Sequence, residues 1–409
     1  MMVRQSYRYE LKPNNKQRTG LARHAGTARF AYNWGLDRRI REYRESGRSS
    51  NAIEQHRKLN TLKRTTLAWM YKVSKCAPQE ALRDLDRALQ NFYRGRKQGQ
   101  KIGFPRFKRK GMHDAFRLTG SIGVHRKSVA LPRIGPVRTK EETAVKGRVL
   151  SATVTREADR WFVSLTVERE RERGLPGPDP AVGVDVGLLS FAVTSDGTRI
   201  QSPRPLEKAL KVLKRRSRRH SRKRKGSANR KKSALSLARL HRKIRNKRRD
   251  FLHKVTTKLA KTKQAIVVED LNVKGMIRNR KLSRSIADSG WGEFFRMLEY
   301  KTTWYGSTLL KAPAFYPSSK RCSVCGRVKE NLVLSERCFR CEACGIRLDR
   351  DLNAAMNLEQ LSRTASSAGC KACEDTSGSG MVQPGLEQST SHVSMKQESD
   401  VKYYDVIFV

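Results

Sequence analysis

The sequence predicts an α+β chain of several domains, and three observations carry that reading. A strand-like run opens the chain, roughly 80 residues of helical periodicity follow, and short alternating runs then return, the pattern of a β-barrel interrupted by a helical insertion. Past a Gly- and Pro-rich linker the apolar runs are short and alternate with helical stretches, as in an open α/β sheet. Two C-x-x-C knuckles stand ahead of a last, Ala-rich helix.

Each element has its own reason. Residues 3–11 alternate with period two and stop at Pro13, which makes one strand. Residues 16–46 place Leu21, Ala25, Ala28, Tyr32, Leu36, Ile40 and Tyr43 at helical spacing. Helical pattern continues over residues 51–98, with a break expected near Pro78 because proline lacks the amide donor. The loop Gly103-Phe-Pro-Arg-Phe-Lys-Arg-Lys110 follows, and residues 116–170 return to strands such as 149–155 and 161–167. Gly174-Leu-Pro-Gly-Pro-Asp-Pro180 ends this half as a linker.

Beyond the linker, Ala181-Val-Gly-Val-Asp-Val-Gly187 is an apolar strand holding one carboxylate, which is costly unless it is paired or binds metal. Gln264-Ala-Ile-Val-Val-Glu-Asp-Leu271 puts Glu269 at the exit of a second apolar strand, where ligands gather in α/β sheets. Asp349-Arg-Asp-Leu-Asn-Ala-Ala-Met-Asn357 begins with acids on the first turn of a helix. Taken singly, Asp185 could pair with a buried arginine, Glu269 could end a strand in solvent, and Asp349 or Asp351 could cap a helix. Together, three carboxylates from three elements suit two Mg²⁺ ions about 3.5–4 Å apart, which activate water and stabilise the leaving oxygen of a phosphodiester. In that arrangement Asp185 bridges both ions, while Glu269 and Asp351 each complete one sphere. Asp349 is assigned to capping or orientation, although spacing alone does not separate it from Asp351.

The phosphate partner follows from charge. Lys and Arg number 88 against 38 Asp and Glu, a net +50, so the expected partner is nucleic acid, with an anionic membrane surface as the competitor. No run of about 18 apolar residues could span a bilayer, and residues 1–12 alternate charged and aromatic side chains where a signal peptide would be apolar. A soluble, cytoplasmic, nucleoid-associated protein without membrane contact is expected. From Leu361 onward four basic residues face six acidic ones, net −2, so residues 1–360 carry +52; this Ser-, Gly- and Thr-rich tail is expected to be disordered. The densest basic stretch is 204–254, with 23 Lys and Arg against Glu207 and Asp250. Phe104 and Phe107, set among basic residues, could stack on bases or simply anchor the loop.

Eight cysteines in an intracellular chain point to metal more than to disulfides. Cys322-Ser-Val-Cys325-Gly326 and Cys341-Glu-Ala-Cys344-Gly345 match a closed structural Zn²⁺ site of four thiolates. Cys338 forms a rival C-x-x-C with Cys341, but glycine after the second cysteine repeats only in the preferred pairing and allows the tight knuckle turn. Cys370 and Cys373 are expected to be free thiols, and Cys76 a core residue.

The ordered set Gly-Val-Asp185-Val-Gly, Val-Val-Glu269-Asp-Leu, Trp291-Gly-Glu-Phe294, Tyr316-Pro-Ser-Ser-Lys-Arg-Cys322 with its knuckles, and Asp349-Arg-Asp351-Leu-Asn-Ala-Ala-Met-Asn357 resembles TnpB, the transposon-encoded RNA-guided DNA nucleases related to type V CRISPR effectors. The resemblance spans residues 3 to about 359 and includes Gly103-Phe-Pro-Arg-Phe107. It implies a wedge-type β-barrel (1–14 and 99–175), a helical recognition insertion (15–98), a RuvC-like nuclease domain of RNase H fold (181–315 and 346–360), a zinc ribbon inserted at 316–345, and a tail at 361–409. It implies Asp351, the second Asp of its motif, as third catalytic acid beside Asp185 and Glu269. It also implies a guide RNA from the transposon end, double-stranded target DNA with a short adjacent motif, and a monomer on its RNA. The stretch 204–254 resembles the family's basic hairpin, so that Arg239, Arg242, Arg245, Arg248 and Arg249 would contact the guide–target duplex backbone, with Leu237, Leu240, Ile244, Phe251 and Leu252 facing the core. Lys75 and Gln79 fall where the family reads target-adjacent bases, four apart on one helix face; Lys to guanine and Gln to adenine suit major-groove readout. The competing classes are a nuclease-inactive RNA-guided binder, a guide-independent resolvase or transposase, and a zinc-bearing RNA-binding protein. The Asp, Glu, Asp order differs from the Asp, Asp, Glu of many transposases, and a purely structural zinc protein leaves Asp185 unexplained.

Overall fold

The computed structural model describes residues 1–172, 174–333 and 335–367, and these divide into two compact units, Met1–Arg171 and 172–367. In the first, β1 (Met2–Leu11) leads into α1 (Asn15–Ser46), α2 (Ala52–Lys63), a 3₁₀ turn (Ala68–Lys72) and α3 (Cys76–Lys97), and strands β2 (Ala115–Thr119), β3 (Gly123–His125), β4 (Ser128–Leu131), β5 (Gly135–Arg138), β6 (Arg148–Glu157) and β7 (Arg160–Glu170) close it. The strands form two antiparallel sheets, ordered β1-β7-β6-β2 and β3-β4-β5, joined where Leu11 bridges Thr139.

The helix boundaries follow from local chemistry. Asn14 caps α1 in a reciprocal box with Gln17, and Gly47 ends it in the left-handed region. Leu21, Ala25, Ala28, Tyr32 and Leu36 are buried as their spacing predicts, whereas Tyr43 lies exposed near the end of the helix. The break expected near Pro78 lies just ahead of it: the chain turns at residues 64–75, and Pro78 sits in the first turn of α3, where an amide would have no intrahelical acceptor to lose. That turn is held by His24, whose ring accepts from the Ser74 amide (3.0 Å) while its other nitrogen bonds the Gly20 carbonyl (2.8 Å). Burial holds the imidazole below its usual pKa, consistent with the neutral form these two bonds require.

In the second unit β8 (Val182–Val186), β9 (Ala192–Thr194) and β10 (Arg199–Ile200) precede the basic hairpin α4 (Pro205–Ser221) and α5 (Ala228–Thr262), followed by β11 (Ala265–Val268), α6 (Val273–Met276), α7 (Ser283–Ser289), α8 (Trp291–Tyr305), β12 (Thr308–Lys311), β13 (Cys338–Arg340), β14 (Arg347–Asp349) and α9 (Arg350–Ser367). The main sheet runs β10-β9-β8-β11-β12, antiparallel from β10 to β8 and parallel from β8 to β12. The apolar stripe expected on α5 divides between two cores. Leu237, Leu240 and Ile244 pack with Leu206 and Leu213 of α4, whereas Phe251 and Leu252 join the cluster around Phe191 and Phe294.

Two expected boundaries move. Helix α9 runs through Ser367, with Leu361 packed near Leu358 and Val267, so residues 361–367 are helical rather than part of the tail. The ribbon hairpin β13–β14 extends past residue 345 to Asp349. Residues 368–409, including Cys370 and Cys373, lie outside the described residues. Among the described residues no helix is long and apolar enough to cross a membrane.

Candidate functional site

Asp185 stands near the end of β8, flanked by buried Val184 and Val186. Glu269 follows directly on β11, which pairs parallel with β8 in the register Val268↔Val184, so both acids emerge at the same end of neighbouring strands. Helix α9 supplies Asp351 in its first turn. What lets α9 approach β8 is Gly183: a Cβ there would lie 1.9 Å from the Ala355 carbonyl oxygen and 2.6 Å from the Glu359 nitrogen, so no larger residue fits.

The three acids sense one another. Burial, then the charges of Glu269 and Asp351, push the Asp185 carboxyl up to about 8, with Arg350 as the opposing charge. Oxygen-only donors that repel each other suit a hard divalent cation, which would return Asp185 to the ionised state. Around them the chain adds orienting groups. The Ser318 hydroxyl donates to Glu269 Oε1. Asp349 accepts from the Asp351 and Leu352 amides, both at 3.1 Å, and so caps α9. Arg199 on β10 bonds Asp349 at 2.7 Å and, against the burial that would raise it, holds its carboxyl below the usual range. Asp349 is thus occupied as a cap. Sequence reading gave no role to Arg199, Ser318 or Gly183; Gly183 left a signal as a small residue inside a buried strand, Ser318 only as a member of the Tyr316–Cys322 motif, and Arg199 none.

The structure gathers Cys322, Cys325, Cys341 and Cys344, all four sulfurs lying within 4.8 Å of one another. Sγ separations of 3.7 Å (Cys322 to Cys344) and 3.5 Å (Cys325 to Cys341) approach the edge of about 3.8 Å that a tetrahedron with Zn–S bonds of about 2.3 Å requires. Both knuckles are built alike. Gly326 (φ +77°) and Gly345 (φ +72°) donate back to Cys322 and Cys341, each at 3.0 Å, in a conformation that favours glycine. The amides of Cys344 and Ala343 hold the Cys341 thiol down at about 6. Although the Ile346 amide opposes it, burial and the thiols of Cys341, Cys325 and Cys322 push Cys344 up to about 12. Such crowding is relieved by a cation that takes all four as thiolates. Cys338 is exposed and outside the cluster. From α9, Asn353 and Asn357 fasten the knuckle loop, with Nδ2 of Asn353 donating to the Arg321 carbonyl (2.7 Å) and Nδ2 of Asn357 to that of Ser318 (2.8 Å).

The candidate nucleic-acid residues separate. Lys75 is exposed and occupies the cap position of α3 rather than its interior, with half-buried Gln79 in the first turn beyond it. Phe104 packs edge-on against Phe92, and both it and Phe107 remain exposed. Arg248 does not offer its guanidinium to solvent as expected. It is half-buried and paired with Asp288 (3.0 Å), which also caps α4 by accepting from the Leu206 and Glu207 amides. Arg249 pairs with Glu293 at 2.9 Å. Arg239 is exposed, and Arg242 and Arg245 are half-buried on α5.

Three families match segments of the chain: one described as "Probable transposase" over residues 164–280, a Cas12f1-like TNB domain over 291–358, and a helix-turn-helix domain over 1–48, where the structure has a strand and one long helix. A Streptomyces pristinaespiralis protein named "Putative RNA-guided DNA endonuclease" is 35% identical over 404 residues, covering 97% of this chain and 96% of its own. InsQ of Escherichia coli K12, named in the same way, is 34% identical across 87% of this chain and 91% of its own. Among solved structures, the mini-RNA-guided endonuclease CRISPR-Cas phi3 overlays with a TM-score of 0.44 at 9% identity, over 88% of this chain and 92% of that one, a score too low to bear on the fold. With its motifs in order and a third of its residues shared with relatives of equal length, the chain belongs to the TnpB family.

Proposed function

We propose that this protein is an RNA-guided DNA endonuclease that cleaves target DNA beside a short adjacent motif, with Asp185, Glu269 and Asp351 as its catalytic acids. The observation that carries the proposal is the convergence of Glu269 and Asp351 on a buried Asp185: burial first, then their two charges, raises Asp185 to about 8 on a strand where an unpaired acid has no structural use. Two Mg²⁺ ions held by these acids would activate water and stabilise the leaving oxygen. The chain's own residues do the positioning: Ser318 fixes Glu269, Asp349 caps the helix that presents Asp351, and Arg199 braces Asp349. The sheet order β10-β9-β8-β11-β12 with its antiparallel second strand supports an RNase H-like, RuvC-type domain, and the four-thiolate cluster supports one structural Zn²⁺. The two sheets of the first unit, with helices between β1 and β2, support a wedge-type barrel carrying a recognition insertion.

Guide RNA is the partner the charge calls for. Net +50 fits a protein that neutralises a heteroduplex backbone, and seven cations of α4 and its C-terminal end, Lys211 through Lys223, line one open groove. The test has two arms. Asp185→Ala is expected to abolish Mg²⁺-dependent cleavage while RNA still copurifies, and sequencing that RNA should return one transcript ending in a variable guide. Full cleavage by the variant removes the active-site assignment; random cellular RNA favours a nonspecific binder. The intact acids favour the nuclease over the inactive RNA-guided regulator.

A further inference from the structure

A cavity of about 450 Å³ opens on the outer face of α1 in the first unit, remote in sequence from the catalytic acids. Its walls are Phe30, Trp34 and Phe107, with Gly26 leaving room between turns and Arg29, Asn33 and Asp37 supplying the polar edge. Volume and lining fall within the range of small-ligand sites, about 300–1,000 Å³ with aromatic walls and few polar groups.

The slot is prearranged. Asn33 accepts from the Lys108 amide (2.7 Å) and donates to the Lys108 carbonyl (2.9 Å), so one side chain clamps both backbone groups of the residue after Phe107. Lys108 Nζ stands 3.9 Å from the Tyr32 ring centroid, a second tie between loop and helix. Phe30 is braced by Trp69 in an edge contact of 5.4 Å, and Arg38 lies over Trp34. Phe107 is half exposed even though its backbone is fixed, a cost in apolar surface that serves nothing inside the fold.

The occupant is indicated by what surrounds the rings. Exposed Arg106, Arg109 and Lys110 neighbour Phe107 in sequence, while the Lys108 ammonium is held over Tyr32, so the loop that carries the ring is cationic. A planar aromatic group joined to phosphates satisfies both, whereas an apolar peptide would satisfy only the rings. We propose that this slot holds one unpaired nucleobase of a single strand, stacked on Phe107 and Trp34. The inference rests on the nucleic-acid reading above and deepens it by naming a base-stacking site separate from any backbone contact.

The test uses the full-length protein and ten-nucleotide oligomers carrying 4-thiouridine (RNA) or 4-thiothymidine (DNA). After irradiation, adducts are mapped by mass spectrometry, and total binding is measured in parallel by filter retention. Adducts are expected on the peptides bearing Phe107 and Trp34. Phe107→Ala should reduce them about 10-fold and weaken filter retention by no more than that factor, within the range for losing one stacked base. Phe107→Tyr keeps the ring and should keep the adducts, separating stacking from misfolding. Adducts confined to other peptides, or unchanged in Phe107→Ala, overturn the slot. Loss of filter retention by the unaltered protein would instead overturn the nucleic-acid reading itself. Adducts with RNA alone assign the base to the guide, and with DNA alone to the target.

Discussion

Arg199 and Asp349 meet across the second unit, with the guanidinium 2.7 Å from a carboxylate that also accepts the Asp351 amide. One ion pair therefore joins the edge strand β10 to the helix end that presents a proposed catalytic acid. Arg199→Ala should slow cleavage about three- to tenfold at saturating target, with guide binding unchanged. That corresponds to about 1 kcal/mol for a charge-assisted bond to a half-exposed arginine. Asp349 has a lowered folded pKa, so the stabilisation it gives is present above the ordinary carboxylate range and fades as pH falls through its folded value. Single-turnover rates at pH 8 check the first point, and melting curves of parent and variant at pH 5 and at about pH 2.5 check the second: the stability gap should hold at pH 5 and narrow only in the more acid solution.

Asp185 shifts the other way. Its folded pKa near 8 lies above the unfolded value, so the folded protein holds a proton the unfolded chain releases. Metal-free stability should therefore fall as pH rises from about 4 to about 8 and stay low beyond. Asp185→Asn should raise the metal-free melting temperature at pH 8 by roughly 3–8 °C, about 1–3 kcal/mol after allowing for solvent screening at a half-buried site. Mg²⁺ should stabilise the parent and leave the variant nearly unmoved. Thermal scans with and without Mg²⁺ decide it, and a variant that melts with or below the parent contradicts the reading.

How far the sequence disclosed this arrangement depends on whether a residue's role is local. Asp185, Glu269 and the cysteine knuckles were legible because a charge in an apolar strand and a C-x-x-C-G turn carry their reasons within a few residues. Asn14 and Gly47 bound α1 for the same kind of reason. Arg199 and Ser318 were not legible, since each acts on a partner from a distant segment and looks like an ordinary polar residue in its own. Arg248 shows the converse. Inside a dense basic run it reads as a nucleic-acid contact, yet Asp288, 40 positions further on, claims it. Pro78 marked its break for a local reason too: a missing amide disrupts a helix interior but costs nothing in a first turn, and α3 starts just ahead of it.

Gly183 fixes the distance between α9 and β8. Its missing Cβ would strike the Ala355 carbonyl at 1.9 Å, a backbone atom that cannot swing aside. Gly183→Ala should push α9 outward, destabilise the protein by about 1–3 kcal/mol, and reduce cleavage at least tenfold by moving Asp351 relative to Asp185. Urea unfolding and cleavage rates measure the two effects. A variant as stable and as active as the parent would show that the helix does not need this close approach.

The zinc reading divides the five neighbouring cysteines sharply. Cys322→Ser or Cys341→Ser removes a buried ligand, and the proposal predicts loss of the metal, a fall in melting temperature, and release of the knuckle loop from Asn353 and Asn357. Since that loop carries Ser318, which holds Glu269, such variants should also lose cleavage. Cys338→Ser should retain one zinc per chain and parental activity, because its exposed thiol stands outside the four-sulfur cluster. Metal content by atomic emission, before and after dialysis against a strong chelator, separates the cases. One zinc retained in Cys341→Ser but lost in Cys338→Ser would move the ligand set to the rival pairing.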